Sequence, residues 1–196
     1  MKSGRRISVF CGSSAGRDPA FSALGRAFGE ALAARGHGLV YGGAKIGVMG
    51  AVADGALAGG AEVIGVLPHF LAGKEIAHAG LSELHLVDTM HERKAKMVEL
   101  SDAFVALPGG FGTLDELFEV LTWAQLGLHG KPCAILDYAG FFAGIEAFVE
   151  RAASDGFLRP EHRGLLLFGT RADDVLDAIE RYVAPVVEKL VSPEQL

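Results

Sequence analysis

The feature that most constrains this chain is a rhythm in its apolar residues. Short runs rich in Val, Ile, Leu and Phe alternate with longer stretches of helical period. The runs are Ile7–Cys11, Gly38–Tyr41, Glu62–Leu67, Glu83–Val87, Ala103–Leu107, Cys133–Asp137 and Leu165–Phe168. The intervening segments predict helices near 18–35, 46–58, 90–101, 113–126, 141–154 and 172–182. Strands that are apolar on both faces and separated by helices pack as a parallel sheet covered on both sides. Each crossover is then right-handed. The pattern predicts an α/β fold, a doubly wound parallel sheet of about seven strands with helices on both faces. In such a sheet ligands bind beyond the carboxyl ends of the strands. The stretch Pro68–Gly80 breaks the rhythm with Pro68, Gly73 and Gly80, and reads as a long loop beside that crevice.

The length of 196 residues suits one Rossmann-like nucleotide-binding domain over 1–196, with 185–196 a loose helix or a mobile tail. A formal net charge of −6 argues against binding long nucleic acids through bulk electrostatics, although a small anion needs only local positive charge. The two cysteines, Cys11 and Cys133, lack CxxC spacing and read as buried free thiols. No segment reads as a signal peptide, and no run reaches the roughly 18 apolar residues of a membrane span. A soluble, cytoplasmic protein is expected. The seven histidines form no HxxxH pair and do not cluster with carboxylates, so no metal site is expected.

Four strand-to-helix junctions carry the chemistry. In Cys11-Gly12-Ser13-Ser14-Ala15-Gly16, small residues and hydroxyls suit either a phosphate site at the next helix or a plain serine-capped turn. Ser14 is the candidate contact there. In Gly42-Gly43-Ala44-Lys45-Ile46-Gly47-Val48-Met49-Gly50, glycines let backbone N–H groups approach an anion, with Gly43 and Gly47 as candidates. No Lys-Ser/Thr pair follows Gly47, so this is no Walker loop, and the spacing is not GxGxxG. NTP hydrolysis and hydride transfer lose their main support.

The third junction is Thr89-Met90-His91-Glu92-Arg93-Lys94. Thr89 and Glu92 have the spacing of a capping box, which leaves Arg93 and Lys94 early in a helix, where positive charge opposes the dipole. The fourth is Leu107-Pro108-Gly109-Gly110-Phe111-Gly112-Thr113-Leu114-Asp115-Glu116. Thr113 and Glu116 again have capping-box spacing, with Glu116 placed in the first helical turn. Capping does not require Gly109, Gly110 and Gly112 together, so a phosphate or ribose against the main chain is the reading favoured.

The last two junctions, Met90-His91-Glu92-Arg93-Lys94 and Pro108-Gly109-Gly110-Phe111-Gly112-Thr113-Leu114-Asp115-Glu116, resemble the paired signature of the LOG ("Lonely Guy") family. These are cytokinin riboside 5′-monophosphate phosphoribohydrolases, once mislabelled as lysine decarboxylases. The likeness includes Val9-Phe10-Cys11-Gly12-Ser13-Ser14, Tyr41-Gly42-Gly43, Val48-Met49-Gly50 and Thr122-Trp123-Ala124-Gln125-Leu126-Gly127, and runs in order to about residue 170.

The resemblance implies hydrolysis of the N-glycosidic bond of an adenine nucleoside 5′-monophosphate, with N6-prenylated adenine and plain adenine unranked. It implies Arg93 and Glu116 as the catalytic pair. Gly110, Phe111, Gly112 and Thr113 would hold the 5′-phosphate, with Leu114 and Asp115 beside them, and Glu75, Lys94 and Thr122 match further nucleotide contacts. Met90 is an additional candidate. Glu116 fits either a general base or a stabiliser of positive charge, while Arg93, always protonated, has electrostatic duty. No cofactor is implied, and a homodimer whose clefts are completed by the neighbouring subunit is expected. The rival is a non-enzymatic nucleotide carrier like the molybdenum-cofactor carrier proteins, which would not need Glu116 paired with Arg93. The old decarboxylase label finds no pyridoxal-phosphate framework in these residues.

Overall fold

A computed structural model describes residues 4–72 and 77–186. Its strands are β1 (Arg6–Phe10), β2 (Gly38–Tyr41), β3 (Val63–Pro68), β4 (Glu83–Val87), β5 (Ala103–Ala106), β6 (Cys133–Leu136) and β7 (Leu166–Gly169). The helices are α1 (Ala20–Ala34), α2 (Gly47–Ala58), α3 (His69–Ala72), α4 (Met90–Leu100), α5 (Phe111–Gln125), α6 (Ala143–Ser154) and α7 (Ala172–Arg181). All neighbouring strands pair in parallel, in the order β4-β3-β2-β1-β5-β6-β7. The chain therefore winds outward from β1 in one direction, then returns after β4 to build the other half from β5. The doubly wound α/β sheet expected from the sequence is what forms, with the point of reversal between β1 and β5.

Strand alternation divides the core into two layers. On one face Ile7, Val9 and Cys11 of the first strand region pack with Phe28 and Leu32 of α1, Val52 and Ala56 of α2, and Leu176 and Ile179 of α7. On the other, Phe10, Val66, Phe104 and Ile135 meet Met97 of α4, Leu117 and Val120 of α5, and Val149 of α6. Each such large apolar side chain, removed from water, contributes about 1.5–3 kcal/mol. Helices α1 and α2 approach so closely that a Cβ at Gly29 or Gly55 would strike the opposing backbone.

Three details depart from the sequence reading. Strand β4 is not buried on both faces: it is an edge strand with Glu83, Leu84 and Leu86 exposed, because only β3 pairs with it. The stretch read as one loop begins as the end of β3 and the short helix α3, and Ala77 bridges back to Ala44. Helix α5 starts at Phe111 rather than Thr113. Of the expected tail, Pro185 and Val186 are described and carry no regular structure. Among the described residues no helix is long and apolar enough to cross a membrane.

Candidate active site

The reversal between β1 and β5 leaves a crevice at the carboxyl ends of β1, β2, β3 and β5, a cleft of about 440 Å3. One wall is apolar, made by Ile46, Met49, Leu67, Leu71 and Met90. The opposite wall is the start of α5, from Gly110 to Thr113, with Asp115 and Glu116 one turn further on. A larger hollow of about 610 Å3 opens at the amino ends of the strands, where Glu62, Glu99 and Asp102 outnumber Arg6. Arg6 is already paired with Glu62 at 2.8 Å, so that hollow is a poor place for an anion.

Helix α4 brings Arg93 to the floor of the cleft. Its start is fixed by the capping box predicted from the sequence: Thr89 Oγ1 accepts the Glu92 amide at 3.1 Å, and Glu92 Oε2 accepts the Thr89 amide at 3.3 Å. Arg93 then turns inward and is only 7% exposed. Its Nε donates to the Val66 carbonyl of β3 at 3.1 Å, and its Nη1 lies 3.1 Å from Oε1 of Glu116. A buried guanidinium is thereby held by one carbonyl and one carboxylate, which meets the demand that buried charge be paired.

Glu116 comes from α5 and is 5% exposed. It sits in the second turn of the helix, not the first, because α5 begins three residues earlier than the Thr-to-Glu spacing implied. For the same reason Thr113 is no cap. Gly110 occupies the cap position in extended backbone, and no side chain caps the helix. Burial raises the pKa of Glu116 above the ordinary carboxylate value. The Arg93 charge opposes that rise, Asp115 and Glu119 add to it, and Lys94 opposes it. Cys11 also lines the cleft, and burial together with the Glu116 charge pushes its thiol well up, against Arg93, so it stays protonated. It is the buried free thiol expected, as is Cys133.

Two glycines make close approaches possible. At Gly42 a Cβ would collide with Nη2 of Arg93, so the arginine lies across the backbone of β2's end. At Gly109 a Cβ would collide with Oγ1 of Thr113 and lie 2.7 Å from the Gly12 amide nitrogen, so β5's loop packs against β1's. Gly110 and Gly112 differ. A Cβ on either meets nothing within 4 Å, and neither has the backbone conformation that demands glycine. Their bareness leaves the first turn of α5 open to the cleft.

The structure brings Met90, Arg93, Gly110, Phe111, Gly112, Thr113, Asp115 and Glu116 into one cleft. Phe111 stands 94% exposed at its mouth. Ser14 lines an adjoining hollow that shares Gly12, Ser13 and Gly110 with the cleft. Gly43 and Gly47 adopt positive φ of 76° and 63° and shape the turn into α2. Leu114 packs toward the core under α5, and Thr122 lies exposed three turns along it, donating to the Phe118 carbonyl at 2.7 Å. Lys94 is buried behind the wall, between Asp115 and Glu119. Glu75 lies outside the described residues. The residues missed from sequence are Cys11, Gly42 and the apolar wall apart from Met90, whose roles depend on packing between distant segments.

A family described as "Possible lysine decarboxylase" matches residues 49–179. The protein named "Probable cytokinin riboside 5'-monophosphate phosphoribohydrolase LOGL9" of Oryza sativa subsp. japonica is 47% identical over 179 residues, 91% of this chain and 79% of that protein. The cytokinin riboside 5′-monophosphate phosphoribohydrolase of Rhodococcoides fascians is 46% identical and covers 89% of each chain. The LOG1 enzyme of that name in Arabidopsis thaliana is 43% identical, over 96% of this chain and 88% of its own. Among solved structures, the molybdenum cofactor binding protein of Rippkaea orientalis shares the fold with a TM-score of 0.70 at 20% identity, covering 92% of this chain and 98% of its own.

Proposed function

This chain belongs to the LOG family of cytokinin riboside 5′-monophosphate phosphoribohydrolases, and from that premise we propose that it hydrolyses adenine nucleoside 5′-monophosphates, N6-modified ones included, to free base and ribose 5-phosphate. The observation that carries this reading is the buried Arg93–Glu116 pair, 3.1 Å apart, beside a helix start left bare by Gly110 and Gly112. A carrier would not need Glu116 paired with Arg93 at the floor of its pocket.

In this reaction the C1′–N bond breaks, the purine leaves with its electron pair and takes up a proton, and water adds at C1′. The transition state carries positive charge on the ribose ring. The amides at the start of α5 and the partial charge of its dipole suit the 5′-phosphate. Phosphate held there fixes the ribose as a remote handle. The carboxylate of Glu116, one turn further along, then faces C1′. Its charge stabilises the developing cation, and its raised basicity suits it to take a proton from the attacking water. Arg93 cannot serve as acid at neutral pH, so its charge favours the carboxylate form of Glu116 and its Nη1 holds that side chain in place. The apolar wall of Ile46, Met49, Leu67, Leu71 and Met90 suits the base.

Lys94, Thr122 and Glu75 enter by resemblance alone. Exposed Phe111 and Thr122, on α5, support a second copy of the chain covering that helix, and we assign the protein a homodimer. Two buried free thiols are in keeping with the cytoplasm.

Base release from AMP and isopentenyladenosine monophosphate tests the reading, comparing wild type with Glu116→Gln. A fall of about 10²- to 10⁴-fold in kcat with nucleotide binding retained is expected of a lost general base. Tight binding with no release by wild type would leave a carrier instead.

A further inference from the structure

Next to the cleft, and open to it across Gly12, Ser13 and Gly110, lies a second hollow of about 290 Å3. Its far wall is aromatic. Phe21 from the start of α1 and Phe141 from the turn after β6 meet edge to face, with ring centroids 5.7 Å apart at 74°. Tyr138 packs on Phe21 in the same manner, at 6.0 Å and 76°. The backbone is bent to put those rings there. Gly16 has a φ of 73°, and Phe21 lies across it, where a Cβ would come within 2.8 Å of the ring. Ala139, in the turn that delivers Phe141, has a φ of 53°, a conformation costly for a residue with a side chain. Phe141 is left 46% exposed. Among the described residues that line the hollow none is charged, so a second phosphate finds no partner there.

Gly110 is the cap of α5, whereas Glu116 stands in its second turn, so the hollow opens at the end of the phosphate site away from Glu116. Resting on the hydrolase reading, we propose that the hollow is a subsite for an uncharged aromatic group esterified to the 5′-phosphate. The enzyme then also cleaves 5′-phosphodiesters of adenosine at the N-glycosidic bond. Apolar space of about 150 Å3 is enough for a benzene ring. A ring seated here meets the exposed Phe141 in the edge-to-face contact that aromatic pairs favour. In the reaction the C1′–N bond breaks with its electron pair on the purine, which takes up a proton. The oxygen of water bonds to C1′, and both P–O ester bonds stay intact. The products are adenine and the aryl ester of ribose 5-phosphate. The two unesterified phosphate oxygens remain for the amides of α5.

Adenine release from the phenyl and methyl esters of AMP tests this, because the two carry the same charge and differ in the ring. Wild type should favour the phenyl ester by about tenfold in kcat/KM. Ala15→Trp fills the hollow from its exposed rim, and Phe141→Ala removes its ring. Each should abolish the preference while AMP is cleaved as by wild type, which also shows that the variants fold. Phe141→Ala decides alone if Ala15→Trp loses AMP cleavage. A wild type that treats the two esters alike overturns the proposal, as does a preference that survives both substitutions. So does a variant that loses isopentenyladenosine monophosphate instead of the phenyl ester, since the hollow would then hold the N6 substituent. Should wild type release no base from AMP, the hydrolase reading falls. Calorimetric Kd values for the two esters, in wild type and Phe141→Ala, then still decide whether the hollow binds the ring.

Discussion

Arg93 reaches Glu116 by crossing the backbone of Gly42. The guanidinium lies where a Cβ on that residue would have to be, with Nη2 inside contact distance, while Nε holds the Val66 carbonyl and Nη1 holds the carboxylate. The obstacle at Gly42 is steric only, since its backbone is not in the left-handed region. Gly42→Ala therefore leaves the sheet able to form and pushes Arg93 off its partner. A displacement of about 1 Å in a catalytic group can cost on the order of 10²-fold in rate. We expect a kcat loss of that order with a cooperative thermal melt retained. A variant with wild-type kcat would show that the arginine's path does not matter.

The sign of the Glu116 shift makes a stability prediction. Its folded pKa lies above the ordinary value of 4.5, chiefly through burial. The folded state thus binds this proton more tightly than the unfolded chain does. The contribution to stability is fully present below pH 4.5 and is lost as pH rises through the folded value. Wild type carries that loss at neutral pH, and Glu116→Gln does not. Urea melts of the two proteins at pH 4.5 and pH 7 should show the variant gaining on wild type as pH rises, whatever their difference at the lower pH. A gap that shrinks in that interval would contradict the raised value.

What the sequence made legible follows from how local each signal is. The alternation of apolar runs and helical segments reports burial on both faces of a sheet, and it located all seven strands to within a residue or two. The box of Thr89 and Glu92 was legible because both partners lie within four residues. The same spacing misled at Thr113 and Glu116. There Gly110 starts the helix unaided, and Thr113 turns in to pack over Gly109. Strand β4 read as buried because Glu83–Val87 is mostly apolar, and edge position depends on which strands come next in space. Gly42 seating Arg93 and Asp115 seating Lys94 join segments far apart in the chain, and no local pattern encodes them.

The cap at Thr89 links stability to the site, since α4 carries Arg93 from its first turn. Thr89→Ala removes the acceptor for the Glu92 amide, while the backbone N–H at that position still has Glu92 Oε2 to donate to. Loss of such a cap costs about 1 kcal/mol. In a domain of this size that is roughly 2–4 °C in Tm. Because Arg93 remains held by Val66 and Glu116, kcat should fall by less than about threefold, well short of the loss expected from Gly42→Ala. Calorimetry and steady-state kinetics on one preparation compare the two. A collapse of kcat with Tm unchanged would reverse the assignment of the cap as structural.

Gly110 and Gly112 separate folding from binding most sharply. Neither has a steric neighbour within 4 Å at the position of a Cβ, and neither has a left-handed backbone. The protein's own packing therefore gives no reason for glycine at either place. Gly112 even lies inside α5, where alanine stabilises a helix by roughly 0.5–1 kcal/mol relative to glycine. If the bare first turn of α5 exists for a phosphate, Gly112→Ala should raise Tm and weaken nucleotide binding together. The methyl group would stand between the amides and the phosphate oxygens, so Kd for AMP should rise by at least about tenfold, equal to 1.4 kcal/mol. The comparison that isolates the phosphate is adenosine, whose weak binding should change little. A Gly112→Ala protein that is more stable and binds AMP as wild type does would move the phosphate away from this helix, and with it the placement of C1′ beside Glu116.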